Sequence, residues 1–189
     1  LVFGAYMMHK LADPNDPTIF FYGDGAAAAV VEAGDVPGFV GATYHADGSY
    51  ADAWGIYAGG TKEPATEEAV RAGRTYVKIT RRYPPEINDE GWPRLFARLA
   101  EQCGFTVDDV ASGIFTQIRK ATVETVADRL GLPRSKAPTI METCGYTGSA
   151  CIPMALDREI QSGRLRSGDL VVMIGSGVVS GPSVPNRHV

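Results

Sequence analysis

A chain of 189 residues, 44% hydrophobic and 21% charged, is long enough to bury a core and ordinary in composition for a globular domain. Its formal net charge of −4 supplies no basic footprint for nucleic acid or an anionic membrane surface, and no apolar run nears the ~20 residues of a membrane span. Three cysteines, an odd number without metal-ligand spacing, point to reduced thiols in a cytoplasm and to no metal site.

Leu1-Val2-Phe3-Gly4-Ala5-Tyr6 opens without an initiator Met and reads as the middle of a fold, so a truncated or separately supplied first half is expected. Asp13 to Pro17 is a turn cluster, with proline fixing φ and Asp/Asn accepting local hydrogen bonds. Thr18 to Tyr22 is expected to be a short buried strand. Gly23-Asp24-Gly25 breaks it, and a small-residue strand follows over Ala26 to Ala33. Asp24 reads as a turn carboxylate bonding nearby amides. Phe39 to Tyr44 is expected to be another strand, leading to His45 and Asp47. That pair could serve as acid and base, but a His beside an Asp-Gly turn reads first as structural.

Ala51 to Thr66, rich in Gly and Ala with Trp54, Ile56 and Tyr57, reads as a covering loop that lines a pocket or meets a partner. Thr75 to Ile79 fits a short strand. Arg81 to Pro85 interrupts regular structure, its two arginines marking a solvated corner or a phosphate contact. Leu95, Phe96, Leu99 and Ala100 recur at helical spacing, so an amphipathic helix is predicted over Trp92 to Cys103, closed by Gly104. Cys103 reads as a small buried hydrophobe. A strand at Gly113 to Thr116 and a helix carrying Val123, Val126, Ala127 and Leu130 come next, the latter closed by Gly131-Leu132-Pro133.

The chain is organised around Cys144 to Leu156. A β-branched entry (Thr139, Ile140), turns at Gly145 and Gly148 and a small-residue helix start predict a strand, a tight turn and a helix N-terminus with converging backbone N–H groups. Cys144 and Cys151 flank that turn. Near a helix start a thiol pKa can fall, yet no His is close in sequence, and buried structural thiols are the simpler reading. Gly168-Asp169, a last strand over Leu170 to Ile174 and a glycine turn to Gly181 complete the order. Alternating strands and helices predict an α/β fold with a mixed sheet and packed helices.

Four motifs occur in register: Tyr22-Gly23-Asp24-Gly25-Ala26-Ala27, His45-Ala46-Asp47-Gly48-Ser49-Tyr50, Gly145-x-Thr147, and Gly168-Asp169 with its strand and glycine turn. Together they resemble the C-terminal half of 3-oxoacyl-[acyl-carrier-protein] synthase III, a condensing enzyme of the thiolase superfamily. The resemblance spans residues 1–189 and is weakest over residues 51–88. It implies one half of an αβαβα sandwich, usually dimeric, whose other half carries the nucleophilic cysteine. It further implies that a His and an Asn of this half assist decarboxylation and carbon–carbon bond formation. At the matching positions this chain has Thr116 (in Thr116-Gln117-Ile118-Arg119) and Tyr146, and Val178 supplies the backbone amide nearest the oxyanion-hole role. Gly145, Arg119 and Lys120 are the implied substrate contacts, the two cations facing coenzyme A or phosphopantetheine phosphates or, alternatively, marking a solvated helix start.

Threonine cannot shuttle protons near neutral pH and tyrosine titrates near ~10, though both can donate a hydrogen bond to a thioester oxygen. The expectation is therefore a condensing enzyme or acyltransferase acting on acyl-CoA or acyl-carrier-protein thioesters, with decarboxylation altered or replaced by acyl transfer. No cofactor beyond the thioester carrier and no metal is expected. The alternatives are a non-catalytic thiolase-fold partner subunit of a heteromeric ketosynthase or, more weakly, a plain acyl-CoA-binding domain. An N-terminal half or partner chain, a homo- or heterodimer and a cytoplasmic location complete the expectations.

Overall fold

The computed structural model describes residues 1–36 and 38–177. In chain order the strands and α-helices are β1 (Val2–Tyr6), β2 (Gly25–Ala29), β3 (Trp54–Gly55), α1 (Glu67–Arg71), β4 (Lys78–Ile79), α2 (Glu86–Cys103), β5 (Val110–Phe115), α3 (Lys120–Leu130), α4 (Met141–Cys144), α5 (Cys151–Gln161) and β6 (Leu170–Ile174). Among the described residues these strands form three two-stranded ladders: β1–β2 and β3–β4 antiparallel, β5–β6 parallel. The mixed pairing is thus distributed over separate ladders.

The β5–β6 ladder is the centre of the core. Ser112 to Phe115 are all buried, so neither face of β5 meets water. Alternation sends successive side chains to opposite faces. Phe115 joins Trp92, Phe96, Val123, Val126 and Val172 beneath α2 and α3, whereas Ile114 packs with Ile140 and Ala155 beneath α5. Helix α5 also touches β2 on its far side. The layers therefore run α2/α3, β5/β6, α5, β1/β2, an α/β arrangement as the alternating elements predict.

Helix α2 starts six residues earlier than the apolar periodicity suggests, because Pro85 at its N-cap already holds φ −60° and no donor is needed there. Pro93 inside α2 cannot donate to the carbonyl of Asp89. Arg129 of α3 takes that place, its Nη1 donating to Asp89 O at 2.9 Å. Gly104 and Gly131 close α2 and α3 in the left-handed conformation, φ 72° and 70°.

Three expected strands are absent among the described residues. Pro17–Phe21 is a 3₁₀ helix: Asp16 accepts from Thr18 N at 2.9 Å, which together with Pro17 starts a turn where a ladder would be required. Only Tyr22 keeps a strand-like contact, a parallel bridge to Tyr146. Residues 39–44 form no regular element, and β2 ends at Ala29. Thr139-Ile140 leads into the single turn of α4, since the Gln117 side chain accepts the Ile140 N–H at 2.8 Å that a neighbouring strand would otherwise take. No described helix is long and apolar enough to cross a membrane.

Candidate active site

Where β5 and β6 end side by side, their following residues form one wall of a cleft of about 660 Å³. Thr116 comes from the end of β5 and Gly175 to Gly177 from the end of β6. Tyr146, Gly148, Ser149 and Cys151 come from the turn before α5, and Tyr6 from the end of β1. Trp54, Gly55 and Ile56 of the glycine-rich loop close the cleft, as expected of a covering segment.

The Thr116 hydroxyl is committed. It accepts from Ser176 N at 2.8 Å and reaches Ile174 O at 3.4 Å, while the Thr116 amide donates to the same carbonyl at 3.0 Å. Only 3% exposed, Thr116 pins the turn after β6 to the end of β5. Gln117 beside it is fully buried and was not singled out by sequence. Its Nε2 donates to Phe115 O and Pro138 O, and its Oε1 accepts from Ile140, so it ties β5 to the segment entering the turn.

Tyr146 is carried into the cleft by backbone pairing. Its N–H donates to Phe21 O at 3.1 Å and its carbonyl accepts from Gly23 at 3.0 Å. The two segments approach so closely that a Cβ on Gly23 would lie 1.8 Å from Cys144 O. Gly145 faces that same contact at φ 65° and is not among the cleft-lining residues, so its place is to seat Tyr146. The Tyr146 ring packs against Phe21, Tyr6 and Trp54 with centroids 5.2, 5.6 and 6.4 Å away. Burial, then the neighbouring Cys151 and Tyr22, pushes the Tyr146 phenol up to about 12. Burial, then Tyr146, also raises that of Tyr6. Both are therefore neutral O–H donors at physiological pH.

Cys151 lines the cleft, is buried, and accepts from Gln117 N at 3.4 Å. Burial pushes its thiol pKa up, in line with the buried structural thiol read from the sequence and against the lowered pKa a helix start can give, and a thiol is a poor nucleophile. Cys144 is half-buried beside Thr143 and does not line the cleft, and Cys103, expected to be buried, is only half-buried. Arg119 and Lys120 are exposed and likewise absent from the lining, Lys120 pairing with Glu142 at 2.8 Å. Asp24 pairs with His9 in place of the amides expected of it. Asp47 accepts from the Ser49 amide at 2.8 Å and caps a short turn, the structural reading of that pair. Val178 lies outside the described residues. Sequence reasoning missed Tyr6 and Asn88, both cleft-lining. Asn88 is 6% exposed on α2, at the edge of the segment where the motifs are weakest.

Two family models match this chain. The model for the 3-oxoacyl-[acyl-carrier-protein (ACP)] synthase III C terminal matches residues 100–180, and that for 3-oxoacyl-[acyl-carrier-protein (ACP)] synthase III matches residues 1–48. The chain belongs to the 3-oxoacyl-[acyl-carrier-protein] synthase III family. Among its relatives, the beta-ketoacyl-[acyl-carrier-protein] synthase III of Gloeobacter violaceus is 31% identical over 180 residues, covering 94% of this chain and 55% of that protein. The acetoacetyl CoA synthase of a Streptomyces species is 29% identical over 181 residues, with the same shares. The chain thus spans about half the length of the curated relatives it matches. In fold it is similar to the 3-oxoacyl-(acyl carrier protein) synthase III of Pseudomonas aeruginosa, with TM-score 0.79 at 24% identity over 93% of this chain and 53% of that one. The Thermus thermophilus enzyme gives the same TM-score and identity over 94% and 55%. Residues 49–99, matched by neither model, include the stretch where the motifs are weakest. The fold is thiolase-like α/β.

Proposed function

We propose that this chain is the C-terminal half of a condensing enzyme or acyltransferase that acts on acyl-CoA or acyl-carrier-protein thioesters. The observation that carries the reading is the meeting on one cleft of Thr116 and Tyr146, two positions the family resemblance singles out, with Gly175 to Gly177 of the turn after β6. Apolar side chains from Met8, Trp54, Ile56, Val77, Ile118 and Ile152 give that cleft a lining suited to an acyl chain.

The reacting thiolate comes from an N-terminal half or partner chain, in a cytoplasmic homo- or heterodimer. That thiolate attacks the thioester carbonyl, the acyl–sulfur bond to the carrier breaks, and the carrier leaves as its thiolate. This half contributes hydrogen-bond donors to the carbonyl oxygen as it gains charge. No described residue lining the cleft is a histidine.

The test is incubation of the protein, together with its N-terminal half, with radiolabelled acyl-CoA. Protein-bound label that vanishes when the N-terminal cysteine is replaced supports the reading. Absence of label, with stable co-purification of an intact ketosynthase, supports the alternative of a non-catalytic partner subunit. That second reading rests on Thr116, whose hydroxyl is consumed within the fold.

A further inference from the structure

Of the three tyrosines that line the cleft, Tyr6 and Tyr146 pack against each other and Tyr83 against Tyr50. Tyr6 ends β1, opposite Gly25 in the β1–β2 ladder. Ser149 Oγ donates to Ala5 O at 3.0 Å, fixing the strand end against the turn that opens α5. A Cβ on Gly4 would lie 2.5 Å from Ser149 O, and one on Gly148 would lie 2.2 Å from the Tyr6 ring. Gly148, at φ 46°, is therefore the floor on which Tyr6 lies. From there Tyr6 meets Tyr146 edge to face, ring centroids 5.6 Å apart and planes at 62°. Both line the cleft, and neither hydroxyl has a hydrogen-bond partner among the described residues.

We infer that the Tyr6 and Tyr146 hydroxyls act as a pair of hydrogen-bond donors to the carbonyl oxygen of the acyl thioester bound in this cleft. The inference rests on the proposed thioester chemistry and assigns part of it to Tyr6, a residue of the strand before the glycine motif. Thr116 cannot share the task, because its single O–H faces Ile174 O and its lone pair holds Ser176 N–H. A phenol is an O–H donor on a rigid ring with two rotatable bonds, so little freedom is lost when it meets a carbonyl.

The experiment is isotope-edited infrared spectroscopy of the 189-residue chain with acetyl-CoA or octanoyl-CoA labelled with ¹³C at the thioester carbonyl. The carbonyl band of bound ligand is expected below its position in water, moving part-way back in Tyr6→Phe and in Tyr146→Phe and fully back in the double variant. Affinity is expected to fall roughly 3–10-fold for each hydroxyl removed. Near-UV circular dichroism checks that the rings still pack. If either Phe variant unfolds, fluorotyrosine incorporation replaces it, and the more acidic phenols shift the band further down. Ligand that binds with a carbonyl band unmoved by any of these changes overturns the donor pair and leaves the thioester reading intact. Absence of saturable binding by both thioesters overturns both.

Discussion

Thr116 and Tyr146, which the family resemblance sets against a His and an Asn, sit in different environments. Thr116 is a structural pin. Replacing it with Val orphans the Ser176 N–H, at a cost of about 1–3 kcal/mol in urea unfolding, and Thr116→Ser restores most of it. If Thr116 faces the cleft as described, Thr116→His with Tyr146→Asn raises malonyl decarboxylation by the protein bearing its N-terminal half; an unchanged rate contradicts the register. Tyr146 is a titration prediction. Its folded pKa of about 12 lies above the ordinary ~10, so the folded state holds its proton more tightly. That stabilisation is complete below pH ~10 and is lost as pH rises from there through about 12. Urea midpoints between those limits should fall less steeply in Tyr146→Phe than in the wild type; equal slopes would count against a buried phenol.

Elements were legible where periodicity or caps decided them. The β5–α3 and α5–β6 stretches carry apolar spacing and glycine stops, and the structure has them within a few residues of expectation. Strand expectations failed at Thr18–Tyr22, where one Asp side chain captures a backbone amide, and at Thr139-Ile140, where the Gln117 side chain does the same. Such captures depend on long-range placement that a run of β-branched or aromatic residues does not encode. Tyr6 as a site residue was hidden for a related reason: its partners, Gly148 and Tyr146, lie some 140 positions along the chain. At this scale Gly148→Ala is predicted to displace the Tyr6 ring and weaken acyl-CoA binding while leaving the β5–β6 core intact, seen as unchanged Trp92 emission. Trp92, stacked on Phe115 at 5.4 Å, is buried with its Nε1–H unpartnered. Trp92→Ala should cost about 3–5 kcal/mol, and Trp92→Phe much less, because it also removes the unpaired donor.

At the scale of the molecule, Leu1, Val2 and Phe3 at the start of β1, and Val30 and Val31 just past the end of its ladder partner β2, are each more than 60% exposed. Apolar side chains exposed together at neighbouring strand ends are a feature of interaction faces. Under the proposed reading they are covered by the half that brings the nucleophile, so adding that half should suppress binding of a hydrophobic dye to this chain; undiminished dye binding argues against it. The family was readable because four short motifs fall in register over the chain, while the detailed chemistry was not, since the side chains that meet at the cleft come from segments far apart in sequence. The account depends most on the cleft being a thioester site, and the two tryptophans offer a direct reading of that. Trp54 lines the cleft and Trp92 is a buried core residue of α2, so in Trp92→Phe all tryptophan emission reports the cleft. Titrating that variant with acetyl-CoA and octanoyl-CoA is predicted to change Trp54 emission saturably, with Tyr146→Phe weakening the response. Emission that ignores both thioesters, or drifts without saturating, would contradict the account.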